Sequence, residues 1–409
     1  MTPLAWGLPF AFILLSIAIL PLAVPRLWGR IGCQVGVAAA AALPVLFLLV
    51  PSELPRLGSV LHEYASFILM LGALYITASG ISIQGDVPAH PTTNAALLLG
   101  GGLLASFIGT TGASMLLIGL LLEVNSERKH VAHTVVFFIF IVSNGGGMLT
   151  PLGDPPLFIG FLEGVPFLWT FRLFPIWLLH LALLLAIYLL LDLRAWRSEA
   201  ARDIARDEME RRPVVVRGKV NFALLGLIVA ATAFLGAPMR EAAYVALATA
   251  SLVLTETALR KATRFSWHPI REVAILFAGI FVAMEPALRI LAERAPTLGL
   301  IRPWHFFWAT GSLSSVLDNA PTYAAFLALA RGLGLPEVAG APARILEAIS
   351  AGAVLFGAMT YIGNGPNFLV RSIAESRGVR MPSFFGYFLR AAAILLPLFA
   401  LETFLFFRP

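Results

Sequence analysis

The sequence predicts an all-α polytopic membrane protein: about ten transmembrane helices plus two re-entrant hairpins, set in two inverted-topology repeats with discontinuous helices. Composition, the continuity of the apolar runs, and a matched pair of interruptions carry that expectation. Of 409 residues, 59% are hydrophobic and 13% charged, with a mean hydropathy of +0.86. Soluble domains carry about 25% charged residues, so this chain lacks the charge to clothe a water-facing surface. Its apolar stretches are continuous rather than alternating, which argues against an outer-membrane barrel. The net charge of +6 follows from Arg-rich loops on one side of a membrane and calls for no nucleic acid partner. The single cysteine, Cys33, excludes an intrachain disulfide and a cysteine metal centre.

The first apolar run, 4–24, has no basic residue before Arg26, the wrong charge order for a cleaved signal, and reads as the first span. Runs at 31–50 and 60–84 give the second and third spans. The run at 94–122 carries GTTGAS at its centre and reads as a hairpin that enters and leaves on one side. The run at 131–163 contains SNGGGMLTPLGDPP. Unpaired backbone groups are forbidden against lipid, so this helix is broken and lines a polar cavity. A span at 168–192 closes a first repeat over 1–192.

A hydrophilic linker, 193–219, holds Arg194, Arg197, Arg202, Arg206, Arg211, Arg212, Arg217 and Lys219, and its excess of positive charge assigns it to the cytoplasm. The second repeat, 220–409, has spans at 220–238, 240–259 and 270–291, a hairpin at 303–330, a broken helix at 344–372 and a last span at 383–407. Threading outward from the linker places Arg26 and Arg30, Arg128 and Lys129, Arg260, Lys261 and Arg264, and Arg371, Arg377 and Arg380 inside the cell, with both termini outside the inner membrane. This agreement requires both interrupted segments to be hairpins. Each half then makes an odd number of crossings, so the second sits inverted. Residues repeat as well: Gly147/Gly357, Thr150/Thr360, Gly153/Gly363, Pro156/Pro366 and Phe158/Phe368 are each 210 apart, and Ser106/Ser314 and Ser114/Thr322 are 208 apart.

The interruptions concentrate oxygen. Ser143, Asn144, Thr150 and Asp154 stand at the first break, and Thr360, Asn364 and Asn367 at the second. The hairpin tips offer Thr110, Thr111 and Ser114, then Asp318, Asn319 and Thr322. Such groups, with the freed carbonyls, suit a hard cation such as sodium. A single Gly-Pro pair is ordinarily a kink, but four interrupted elements in two matched pairs point to a site. A carboxylate deep in a span is costly and marks function, which singles out Asp154 and Asp318. Glu285 lies nearer its span's outer end and is a third proton-coupling candidate, with interfacial snorkelling as the competing reading. His180, alone in mid-span, reads as a hydrogen-bonded packing residue. His130 and His133 have no third ligand nearby, so no transition-metal site is expected.

SNGGGMLTPLGDPPLFIGFL, SSVLDNAPTYAAF and YIGNGPNFLVRSIAE resemble the ion transporter superfamily, which includes NhaD-type sodium/proton antiporters, citrate and dicarboxylate carriers and arsenite transporters. The resemblance implies a homodimer with a scaffold and a moving transport part, working as an elevator. It also implies ion binding and proton exchange at Asp154, Asp318 and Asn319, with Asn144, Thr360 and Asn364 lining the site. The expected function is sodium (or lithium)/proton antiport; the alternative is cation-coupled symport of citrate, a dicarboxylate or another small anion. Transported ions, a lipid bilayer and a second copy are then its partners, and no cofactor is needed. The motifs of intramembrane aspartyl and serine proteases and the Walker A sequence are absent, so no catalytic residues are assigned and the chain is read as no enzyme.

Overall fold

The computed structural model describes residues 3–49, 54–209, 211–263 and 265–408; Arg264, expected on the cytoplasmic side, falls outside them. The chain is an integral, multi-pass membrane protein. Its first half runs through α1 (Leu8–Ala23), α2 (Ile31–Leu49), α3 (Leu54–Ala78), strand β1 (Ser82–Asp86), α4 (Pro91–Ile108), α5 (Thr110–Val124), α6 (Ala132–Ile141), α7 (Pro155–Leu162) and α8 (Phe174–Arg197). A short helix at Ala201–Met209 and strand β2 (Arg212–Arg217) follow. The second half repeats the plan with α9 (Val220–Phe234), α10 (Met239–Leu254), α11 (His268–Arg294), α12 (Pro303–Ser314), α13 (Asn319–Gly332), α14 (Ala343–Leu355), α15 (Gly365–Ser376) and α16 (Phe384–Phe406).

Among the described residues, 6 helical stretches are long and apolar enough to cross a membrane, and further apolar helices are shorter. The shortfall from about ten has two local causes: the runs at 131–163 and 344–372 are broken in their middles, and those at 220–238 and 240–259 form single helices of only 15 and 16 residues. Expected and observed limits differ most at the third span. Its helix stops at Ala78, and Ser82–Asp86 instead pairs antiparallel with β2, Ile83 facing Val216 and Gln84 facing Val215. The linker therefore closes a two-stranded ribbon against α5 instead of hanging as a plain polar connection.

The hairpins form for visible reasons. Between α4 and α5 stands Gly109 alone, with φ +83, a conformation that L side chains rarely adopt. The feet of this hairpin are joined: the side-chain amides of Asn94 and Asn125 each donate to the other's oxygen, at 2.9 and 2.8 Å. Arg128 then ties the foot to Asp192 near the end of α8, at 2.6 Å. Both feet thus lie on the linker's face. In the second hairpin, Gly332 at the foot of α13 rests on Ala292 and Ala295 at the end of α11, one loop before α12 begins.

Packing sorts the helices into two groups. The first three helices of each half, α1, α2, α3, α9, α10 and α11, pack on one another; α4–α8 and α12–α16 form the second group. The seam runs where α11 lies along α13 and α3 touches α5 and α7. Large apolar side chains such as Phe47, Phe234 and Val253 are exposed on the outer surface, as lipid contact requires.

Candidate ion site

The two breaks share one construction. In the first, α6 ends at Ile141, a 3-10 turn spans Gly145–Met148, and α7 starts at Pro155; in the second, α14 gives way to the turn Phe356–Met359 and α15 starts at Gly365. Ser106 donates its hydroxyl to the Gly146 carbonyl while Thr150 donates to Ser106. Their counterparts do the same: Ser314 donates to Ala353 and Thr360 to Ser315, each at 2.6 Å. A Cβ at Gly153 would lie 2.1 Å from the Gly147 oxygen, and one at Gly363 would lie 2.6 Å from that of Gly357. The glycines spaced 210 apart in the sequence are therefore the places where each break folds onto itself.

These constructions bring four elements to one carboxylate. Asp154, at the start of α7, accepts at Oδ1 from the Thr110 hydroxyl at 2.8 Å and from Asn364 Nδ2 at 3.1 Å. Its Oδ2 accepts from Asn319 Nδ2 at 2.6 Å. Thr110 comes from the first hairpin tip, Asn319 from the second, and Asn364 from the second break. The carboxylate is 1% exposed, and its three partners are neutral donors, so its charge is fixed in place but not cancelled. Asn319 Oδ1 is buried with no hydrogen-bond partner. An orphan carbonyl oxygen beside a carboxylate has the chemistry to ligate a hard cation.

A layer of amides backs the site. Asn144 donates to Ile139 O and to Asn367 Oδ1, both at 2.8 Å, and accepts from Asn364 at 3.3 Å. Asn367 donates to the carbonyls of Gly357 and Thr360 at 2.8 and 2.9 Å. The Ser143 and Ser114 hydroxyls pair at 2.8 Å, and the Ser143 carbonyl accepts from Asn364 at 3.1 Å. Thr111, beside Thr110, opens onto a cavity of 90 Å³ whose far wall is apolar, with Leu71 and Leu74 of α3 and Ile270 and Val273 of α11. This cavity lies in the seam between the helix groups.

Several expected site residues do other work. Thr150 and Thr360 spend their hydroxyls on the hairpin carbonyls named above, and so fasten the breaks. Thr322 donates to the Asp318 carbonyl at 2.8 Å, within the first turn of α13. Asp318 is partly exposed and caps α13, its Oδ1 accepting from the Ala320 N–H at 3.2 Å. Glu285 does not join the site: its carboxylate pairs with Arg56 of α3 and with Arg289 one turn along α11, at 3.3 Å. Guanidinium groups meet its charge where it stands, and the three side chains brace α3 against α11. His133 bonds Asp192 at 2.8 Å, in the cluster that anchors the hairpin foot. His180 is hydrogen-bonded as expected, and its partner is itself ionisable, Glu402.

A match to the family described as putative citrate transport covers residues 1–407. The chain is also 27% identical, over 288 residues, to an uncharacterized transporter of Synechocystis sp. (strain ATCC 27184 / PCC 6803 / Kazusa); the alignment takes in 63% of this chain and 63% of that protein's length. The family match spans nearly the whole chain, and the alignment with the Synechocystis protein spans less than two thirds of either sequence.

Proposed function

We propose a specific transport chemistry for this chain, which belongs to the putative citrate transport family: exchange of sodium or lithium for protons by an elevator-type alternating-access motion. The observation that carries this reading is the Asp154 centre, an uncancelled buried carboxylate beside the unpartnered Asn319 oxygen. A monovalent cation bound there cancels the charge and gains oxygen ligands from Asp154, Asn319 and Thr110; a proton cancels the same charge. The two compete for one carboxylate, and loading one expels the other. Asp318, next to Asn319 on the same tip, is the second carboxylate within reach of incoming cations. The group α4–α8 with α12–α16 is the carrier body, and α1–α3 with α9–α11 the scaffold, through which two copies pair. In this reading the protein lies in the inner membrane with its linker cytoplasmic and both termini outside.

A second reading, cation-coupled symport of citrate or a similar anion, is favoured by the family description and by helix polarity. The helices α5, α7, α13 and α15 all begin at the site, so four positive dipole ends converge there. Two of them are offset by their own carboxylates, Asp154 and Asp318, and α7 opens with Pro155 and Pro156, which lack N–H groups. Convergent cation ligands therefore outweigh convergent anion donors. Thermal-shift titration of the purified protein with sodium, lithium, potassium, citrate, succinate and arsenite separates the two. Stabilisation by sodium or lithium alone, weakened about 10–100-fold in Asp154→Asn, supports antiport. Stabilisation that needs citrate and sodium together supports symport. In proteoliposomes, sodium-driven proton flux that survives Asp154→Asn overturns the assignment.

A further inference from the structure

A buried histidine–carboxylate pair stands apart from the Asp154 centre. His180 of α8 and Glu402 of α16, one from each half of the chain, are both 0% exposed, and His180 Nδ1 lies 2.7 Å from Glu402 Oε1. Each side chain has a second polar atom, His180 Nε2 and Glu402 Oε2, that is buried without a hydrogen-bond partner. A half-satisfied buried pair is a poor stabilising device: leaving each orphan atom unpaired costs free energy, and a hydrophobic pair of the same size serves packing as well or better. Both orphan atoms can take part in proton exchange, the imidazole nitrogen and the carboxylate oxygen alike.

The pair touches both breaks. A Cβ on Gly145, which opens the first 3-10 turn, would come within 3.0 Å of the His180 ring and 3.4 Å of Nε2. The imidazole stacks on Phe399 with an interplanar angle of 9°, and Phe399 stacks at 4.0 Å on Phe356, which opens the second turn. Gly145 adjoins Asn144, whose Oδ1 accepts from the same Asn364 amide that donates to Asp154. A shift in the imidazole thus has a short, packed route to the ion site. The other ionisable groups on the surrounding elements face elsewhere. His133 and Tyr188 bond Asp192, which Arg128 also holds; Arg172 bonds Glu347; Tyr387 donates to the Ala358 carbonyl. Arg194 and Arg197 lie in the last turn of α8, His305 packs on Trp304, and Arg390 is exposed.

We propose that His180 and Glu402 form a proton-binding site, additional to Asp154, that takes up and releases one proton in each transport cycle. Holding one exchangeable proton, the pair is neutral; losing it leaves a carboxylate beside neutral imidazole, with net charge −1. Binding a monovalent cation at Asp154 adds one positive charge to the same low-dielectric body, and release of this proton to water removes one, so the two events favour each other. This rests on the cation-coupled reading above.

The test uses the full chain in proteoliposomes, wild type against Glu402→Gln and His180→Gln. Sodium-for-sodium exchange, followed with labelled sodium, needs no net proton movement; sodium-driven proton flux, followed with a pH-sensitive dye, does. The expected result is sodium exchange largely kept, proton flux reduced at least about tenfold, and a flatter dependence of sodium affinity on pH, with partial recovery in Glu402→Asp. Unchanged proton flux and pH dependence in both variants overturn the proposal, as does parallel loss of exchange and proton flux with the residual pH dependence intact, which marks a packing role. If wild type shows no sodium exchange, the antiport reading fails on its own. The pair is then read on citrate uptake driven by a pH gradient, and variants that keep this drive overturn the proposal.

Discussion

Two carboxylates within membrane helices receive opposite treatment, and their partners explain why. Asp154 is held by a hydroxyl and two amides, which fix its position and bring no opposite charge. Glu285 is held by arginines, one of them 229 residues away in sequence, so its charge is already met. The sequence shows that both lie in spans and does not show which arginine folds back to which acid. A third group of acids lies outside the membrane, where carboxylate oxygens of Asp86, Glu127 and Asp207 come within 4.8 Å of one another. Burial, and the like charge of Glu127, push the Asp86 carboxyl above its ordinary 3.8, against the pull of Arg212; burial does the same for Asp207, against the Ala89 N–H. An acid whose folded value is raised binds more protons folded than unfolded, so its contribution to stability falls as pH rises from 3.8 through the raised value. Asp207→Asn, whose amide oxygen can still accept from Ala89, is therefore expected to melt higher than wild type at neutral pH. Its advantage should shrink as the pH is lowered toward the ordinary aspartate range. Melting curves in detergent across that range check this, and a constant offset would contradict it.

At the scale of elements, the breaks were legible because two effects coincide: clustered Pro and Gly interrupt the helical hydrogen-bond ladder, and lipid does not tolerate the backbone groups this leaves unpaired. Their matched spacing revealed the repeat for the same reason, since each Gly–Gly approach leaves no room for a side chain. Gly153→Ala places a methyl against the Gly147 carbonyl, a main-chain atom that no rotamer can move. This is expected to cost about 1–3 kcal/mol or more and to weaken sodium binding together with the melting temperature. Gly365→Ala meets nothing within 4 Å and is expected to do neither, so the pair of variants separates a clash in the break from a general dislike of substitution there. What escaped the sequence depends on partners. Thr150 and Thr360 carry the right chemistry for ligands, but the docking of each hairpin on its break turns their hydroxyls to Ser106 and Ser315. The strand Ser82–Asp86 is hidden in the end of an apolar run, and only its pairing with Arg212–Arg217 across most of the first repeat makes it a strand. Glu402 escaped because it stands near the end of a last span, and its depth is set by the packing of α16 against α8.

At the scale of the whole molecule, the distribution of the site decides what kind of motion can serve it. A rocking mechanism keeps a site between two bodies and opens it alternately; an elevator keeps the site within one body and carries it past the other. Thr110, Asp154, Asn319 and Asn364 all belong to the group α4–α8 with α12–α16, and the amide layer behind them does too. Across the seam, the wall of the cavity beside Thr111 is apolar and offers an ion little to bind. Such a wall is what the elevator motion proposed above requires, since a closed site sliding past it would not lose its cargo. The motion must then shear the contacts of the seam, and a covalent tie across it must stop transport without emptying the site. A Cβ at Gly112 of α5 would lie 3.3 Å from the Cβ of Ala78 at the end of α3, close to the separation of about 3.5–4.5 Å found in disulfides. In a background with Cys33→Ala, Ala78→Cys with Gly112→Cys is expected to form this bridge on mild oxidation. Sodium flux in proteoliposomes should fall to background and return on reduction, while the thermal shift produced by sodium persists throughout. Full flux in protein shown by mobility shift to be bridged rules out sliding at this seam, and loss of the sodium thermal shift on bridging places the site between the bodies rather than within one.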